Sequence, residues 1–278
     1  MRIREWLAPR EGRSAAVTLI QAILFVNALP AFVNLISIPE RTDRFFVWTV
    51  EPAANARVLG VMYGSACLLA VLGFAARTWP RQRVTFVVVA PFAVAATVVT
   101  LATLDPFRAH PWYELTYWLV MYSVLVVLAP ATFAANELAQ GGRLPVDEPI
   151  APAARVLTGL LAAVLLGAGL GLLFELGYAT RLWPFAITPL VARILGVWLA
   201  SLGLACAWAA WDCDRLRARA LLFSMPVVGV LLALVPALNR GDLRSGATEA
   251  RIAYLLLATA IVVVPLAALH RARTSIEA

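Results

Sequence analysis

The sequence contains no lysine; all 23 basic residues are arginine. Guanidinium groups are then the only strong cations, and they suit helix ends and headgroup phosphates better than a solvated surface. Charge of any kind is scarce at 14%, against 62% hydrophobic residues and a mean hydropathy of +0.83. Such a chain cannot cover itself with polar surface, which excludes an ordinary soluble globule. The net charge of +7 raises the question of nucleic acid. No basic cluster is interleaved with stacking aromatics on a polar face, so no nucleic acid partner is expected. The three cysteines, Cys67, Cys206 and Cys213, have no C-x-x-C spacing and read as small packers rather than a disulfide or metal site. Only two histidines are present, His110 and His270, and no metal or cofactor is expected.

Long apolar runs fill what remains. A bilayer core about 30 Å thick takes about 20 apolar residues per helix. Eight segments qualify, at 15–38, 56–76, 84–104, 115–135, 153–176, 190–211, 219–238 and 251–269. They are expected to be helices, because open strand edges in lipid would strand backbone amides. The charged front, MRIREWLAPREGRS, precedes an apolar run too long for a cleaved signal, so it reads as an interfacial lead into a retained first helix. With the N-terminus inside, fourteen arginines fall in inner segments and nine in outer ones. That bias places both termini in the cytoplasm and the chain in the cytoplasmic (inner) membrane.

The chain also repeats itself. At an offset of 136, Ala56, Arg57, Leu59, Gly60, Val61, Ser65, Leu68, Arg81 and Arg83 match Ala192, Arg193, Leu195, Gly196, Val197, Ser201, Leu204, Arg217 and Arg219. At 135, Trp48 matches Trp183, Pro91 matches Pro226, Glu114 matches Glu249 and Pro130 matches Pro265. Four helices per copy is an even number, so the copies run parallel rather than inverted. The expected fold is all-α and integral to the membrane: eight transmembrane helices as two parallel tandem four-helix repeats. Its parts are an interfacial segment 1–14, repeats at 15–135 and 153–271, a cytoplasmic linker 136–152 and a tail 272–278. The string WPFAITPLVARILG, residues 183–196, resembles a motif of uncharacterised bacterial multi-pass membrane proteins. The first copy, WTVEPAANARVLG at 48–60, keeps the tryptophan, proline, arginine and glycine but not the Thr-Pro-Leu. That resemblance implies no activity.

Arg57, Gly60, Gly64, Cys67 and Val71 share one helix stripe, as do Arg193, Gly196, Ala200, Gly203 and Ala207. Small stripes let helices approach closely in lipid, and Gly159, Ala163, Gly167 and Gly171 form another. The GAGLG at 167–171 lies mid-span with no preceding strand, so no nucleotide is expected. Each arginine opens its helix, where the macrodipole is positive, and therefore calls for an anion. Glu114 and Glu249 open helices 4 and 8 on the same side. Two readings stand: ion pairs Arg57 with Glu114 and Arg193 with Glu249, or snorkelling to lipid phosphate; a third gives both arginines one anionic ligand.

Asn27 and Asn34 share a face of helix 1 beside Pro30. They either satisfy the backbone that the proline disturbs or contact a ligand or partner helix. The outer connections around Trp48 and Trp183 are expected at headgroup depth, with a rim over a cavity as the alternative. No acids, bases or nucleophiles converge into a catalytic set. The leading expectation is a noncatalytic integral subunit or scaffold whose partners are membrane lipids and other membrane proteins. A small-solute or lipid transporter is the second, and a membrane-embedded enzyme acting on lipid the third.

Overall fold

The computed structural model describes residues 14–108 and 110–270, and is all-helical apart from short connections. Its eight long helices are α1 (Ala15–Ser37), α2 (Ala53–Ala75), α3 (Trp79–Ala102), α4 (Trp112–Gln140), α5 (Pro152–Leu173), α6 (Pro189–Asp212), α7 (Arg215–Leu238) and α8 (Thr248–Leu269). All eight are long and apolar enough to cross a membrane, which makes the chain a multi-pass membrane protein by its build. The interfacial segment expected before residue 14 and the tail 272–278 lie outside the described residues.

Local chemistry sets the ends. The Ser14 hydroxyl accepts from Val17 N at 3.3 Å to open α1, and the Asp214 carboxylate accepts from Arg217 N at 3.0 Å to open α7. Prolines stand in the first turns of α3, α5 and α6, where no amide donor is needed. Gly141, at φ 76°, ends α4 in the left-handed conformation. α4 thus runs to Gln140, not 135, and shortens the linker to 141–151. The extra turn is held from outside: Glu137 accepts from Trp79 Nε1 at 2.7 Å and lies 3.7 Å from the Arg83 guanidinium.

Four helices form the centre. In their most apolar stretches α6 is 78% and α2 72% buried, whereas α4 and α8 are each 28% buried and present the rest outward. α1 packs chiefly on α2 and α5 on α6, while α3 pairs with α4 and α7 with α8. Across the centre α2 lies on α7, α6 on α3, and α3 on α7. Both small-residue stripes of the central helices face the preceding helix. A Cβ added at Gly64 would meet the Phe32 ring of α1 at 2.9 Å, and one at Gly196 would meet Leu173 N of α5 at 2.5 Å. The stripe expected on α5 divides: Gly171 is covered by Tyr178 and Ala179, but Gly159 and Gly167 have no neighbour within 4 Å of where a Cβ would sit. Gly169, outside that stripe, makes the close approach, with backbone Ala200 N 2.4 Å from such a Cβ.

Candidate functional site: an aromatic cavity between α1 and α4

The two ends of the bundle carry its polar contacts. At the end away from the linker, the expected pairs of Arg57 with Glu114 and Arg193 with Glu249 do not form. Arg57 instead donates through Nη1 to Asn239 Oδ1 and lies 3.5 Å from Glu40 Oε1. Arg193 donates to Glu175 Oε1 from Nε at 2.7 Å, and to Thr103 Oγ1 from Nη1 at 2.8 Å. The reason is packing: α2 lies against α1, α7 and α3, so Glu114 on α4 is out of reach. Each arginine takes a carboxylate that follows the preceding helix and a polar side chain at the carboxyl end of a helix in the other half. The cation therefore sits where the neighbour's macrodipole favours it. Glu40 and Glu175 share the 135-residue offset of Trp48 and Trp183, so the sequence does carry a signal for these partners. Glu114 lies 3.3 Å from His110 Nδ1, and Glu249 is exposed.

Trp48 and Trp183, expected at headgroup depth, turn inward. Trp48 is 1% exposed and packs edge-on against Phe46, Phe107 and Trp118. Trp183 donates to Asn55 Oδ1 at 2.9 Å, while Asn55 Nδ2 donates to Ala186 O at 2.7 Å, which ties α2 to the second half. Buried indoles and amides of this kind need partners; Trp183 and Asn55 supply each other's, whereas the Trp48 indole N–H is buried without one.

At the linker end, Asp212 is ion-paired with two buried arginines. Arg83 Nη2 is 2.5 Å from Oδ1, and Arg217 Nε is 3.3 Å from Oδ2. Arg217 also reaches Asp214 at 3.2 Å and Pro145 O at 3.0 Å. Burial pushes the Asp214 carboxyl up, but backbone N–H groups of Arg217, Asp147 and Glu148 and the Arg217 charge together hold it below the ordinary aspartate range. The network joins α3, α6, α7 and the linker and reads as a structural clamp.

Between these ends lies a cavity of about 440 Å³, framed by α1, α2 and α4 and floored by Val89 and Phe92 of α3 and Trp198 of α6. α1 and α4 touch only lightly, and the exposed Pro30 of α1 and Tyr117 of α4 line the gap between them. Nine aromatic residues line the wall. Phe92 stacks on Trp198 at 3.9 Å between centroids, Trp118 on Tyr122 at 4.2 Å, and Phe46 meets both Tyr63 and Trp118 edge-on. Both asparagines singled out in helix 1, Asn27 and Asn34, line it beside Pro30. Asn27 Nδ2 donates to Ile23 O at 2.7 Å, and its Oδ1 accepts from the Tyr117 hydroxyl of α4. One amide thus bonds back onto its own helix and bridges the gap as well, but the carbonyl that Pro30 leaves without a helical donor is that of Val26, not of Ile23. Of the expected ion-pair residues, Glu114 lines the cavity, whereas Arg57, Arg193 and Glu249 are not part of the wall.

Two wall groups have unmet demands. The Trp198 indole N–H is buried without a partner; the Tyr63 hydroxyl, beside that of Tyr122, is buried without a well-formed hydrogen bond. An orphaned buried donor costs about 1–3 kcal/mol. The matching region of the second half is closed: Trp183, Leu195, Leu232 and Tyr254 leave about 10 Å³ there. Among the described residues, no three His, Cys, Asp or Glu side chains gather as metal ligands. No protein-family model, curated protein or solved structure matches the chain, and the chemistry of the cavity alone carries the functional reading.

Proposed function

We propose that the chain is a noncatalytic multi-pass membrane protein, built as two parallel four-helix repeats, whose first repeat binds an apolar, acceptor-bearing molecule taken laterally from the lipid phase. Both termini lie in the cytoplasm and the chain resides in the inner membrane, as the arginine bias argues. The repeat is supported by reciprocal packing: α1 on α2 and α5 on α6, α2 on α7 and α6 on α3. The observation that carries the binding reading is an aromatic wall holding a buried Trp198 indole N–H without a partner and a Tyr63 hydroxyl that has only a poorly formed contact with Tyr122. Flat rings favour a planar or unsaturated ligand body. Two poorly satisfied donors favour a ligand carbonyl, and a lining that includes exposed residues of α1 and α4 favours lateral entry from the bilayer.

Menadione, a naphthoquinone, supplies a ring and carbonyls; 2-methylnaphthalene supplies the ring alone. Equilibrium binding to the protein in nanodiscs should favour menadione, and Tyr63→Phe should reduce that preference about fivefold, the worth of one hydrogen bond of about 1 kcal/mol. Equal binding of the two compounds, or of both to the variant and the parent, overturns the reading.

The subunit or scaffold reading is favoured by a different observation, the outward Gly159–Ala163–Gly167 stripe of α5. It requires stoichiometric membrane partners to copurify in mild detergent, and their loss when Gly159 and Gly167 become leucine.

A further inference from the structure

The clamp at Asp212 has a counterpart lacking its acid. Shifting Asp212, Arg217 and Arg219 back by the 136-residue repeat gives Ala76, Arg81 and Arg83. In one arrangement Asp212 pairs with Arg83 and Arg217. Exchanging the two halves puts Ala76 between Arg219 and Arg81. Those three residues do meet: together with Arg77 they line a groove of about 600 Å³ where the end of α2 and the starts of α3 and α7 come together.

The arginines of this groove differ from the other described arginines at the linker end. Arg83, Arg215 and Arg217 have carboxylate partners, and Arg143 and Arg155 donate to the last carbonyls of α6, Trp211 O at 3.1 Å and Ala210 O at 2.7 Å. Arg77, Arg81 and Arg219 are exposed and form no ion pair among the described residues; Arg219 rests over the Phe223 ring at 5.1 Å. Three like charges around one groove repel one another unless an anion lies among them. The floor is apolar, with Leu68, Leu72 and Phe223, and Phe223 is 45% exposed on the outer surface of α7.

We infer that this groove binds the phosphate of an anionic phospholipid, which takes the place that the Asp212 carboxylate holds in the other arrangement. Arginines grip the headgroup while the acyl chains run along the apolar floor, a division of labour suited to the membrane interface. The site rests on α2, α3 and α7 crossing a bilayer. It is separate from the α1–α4 cavity and does not depend on that cavity binding anything.

Native mass spectrometry of protein exchanged into mixed phosphatidylglycerol and phosphatidylcholine micelles should show retained phosphatidylglycerol. A basic side chain at an anionic surface is worth about fivefold, so Arg77→Gln, Arg81→Gln and Arg219→Gln together should lower retention about a hundredfold. Ala76→Asp supplies the missing carboxylate and should expel the lipid while the protein stays folded, whereas Ala76→Asn should keep it. Inorganic phosphate at millimolar concentration should not displace the lipid, since it gains nothing from the floor. Equal retention of the two lipids by the parent protein overturns the inference, as does undiminished phosphatidylglycerol on Ala76→Asp or displacement by phosphate alone. Should the triple arginine variant fail to fold, the parent's headgroup preference and the Ala76 pair still decide.

Discussion

Asp212 shows how far a single side chain can matter here. It is 3% exposed and sits between two arginines that are themselves 3% and 4% exposed. Removing the carboxylate leaves buried guanidinium groups short of counter-charge, and breaking a buried pair from one side costs about 3–5 kcal/mol. Asp212→Asn should therefore lower the unfolding temperature in detergent steeply, while Asp43→Asn, whose carboxylate is exposed, should leave it unchanged. The pair of Arg193 and Glu175 belongs to another class. Both side chains are about a third exposed, so the pair is worth about 1 kcal/mol or less. Glu175→Gln should produce a small loss and Glu249→Gln none, measured by the same melting curves. The opposite order would restore the pairing with Glu249 expected from the sequence.

For whole helices the deciding quantity is how closely backbones approach. α5 and α6 meet through Gly169, Gly196 and Gly203, at distances that leave no room for a methyl group. α1 meets α2 through the larger Phe32 and Leu35 side chains against Gly64 and Gly60. The first arrangement seals its half, whereas α1, interrupted by Pro30, leaves a gap toward α4 that the Asn27–Tyr117 hydrogen bond spans. Gly196→Ala should cost about 1–3 kcal/mol as an overpacked contact. Gly167→Ala, facing open space, should be neutral or slightly stabilising because alanine is the better helix former. Thermal melts of the two variants distinguish a packing role from mere glycine content. Equal effects would mean that the close α5–α6 approach is not present in the membrane.

At the scale of the whole molecule, the two halves hold each other rather than standing side by side. α2 packs on α7 and α6 on α3, and Arg57, Arg193 and Asn55 each reach residues of the other half. The proposed topology puts Arg57 and Arg193 on the same face of the membrane. Cysteines placed at these two positions, in a chain whose own cysteines are replaced by alanine, should both react with an impermeant maleimide added outside cells. Labelling of one alone would overturn the parallel arrangement.

Helix number and approximate ends were legible in the sequence because span length depends only on bilayer thickness and a run of apolar residues, both local properties. The small-residue stripes of α2 and α6 were legible for the same reason, since helical spacing alone puts them on one face, whereas on α5 the spacing did not tell the packed Gly171 from the open Gly159 and Gly167. The asparagines beside Pro30 were legible as polar groups in an apolar span, but the aromatic wall around them was not, because Tyr63, Trp118 and Trp198 come from three helices whose adjacency no local pattern encodes. The same limit explains the misassigned arginine partners. A dipole argument says that Arg57 needs an anion, yet which carboxylate arrives depends on α2 lying beside α1 and α7 rather than α4. In lipid every outward face is similarly apolar, so hydrophobic periodicity does not say which helix neighbours which. The choice fell to close backbone contacts and buried polar pairs, and these exist only once the bundle has assembled.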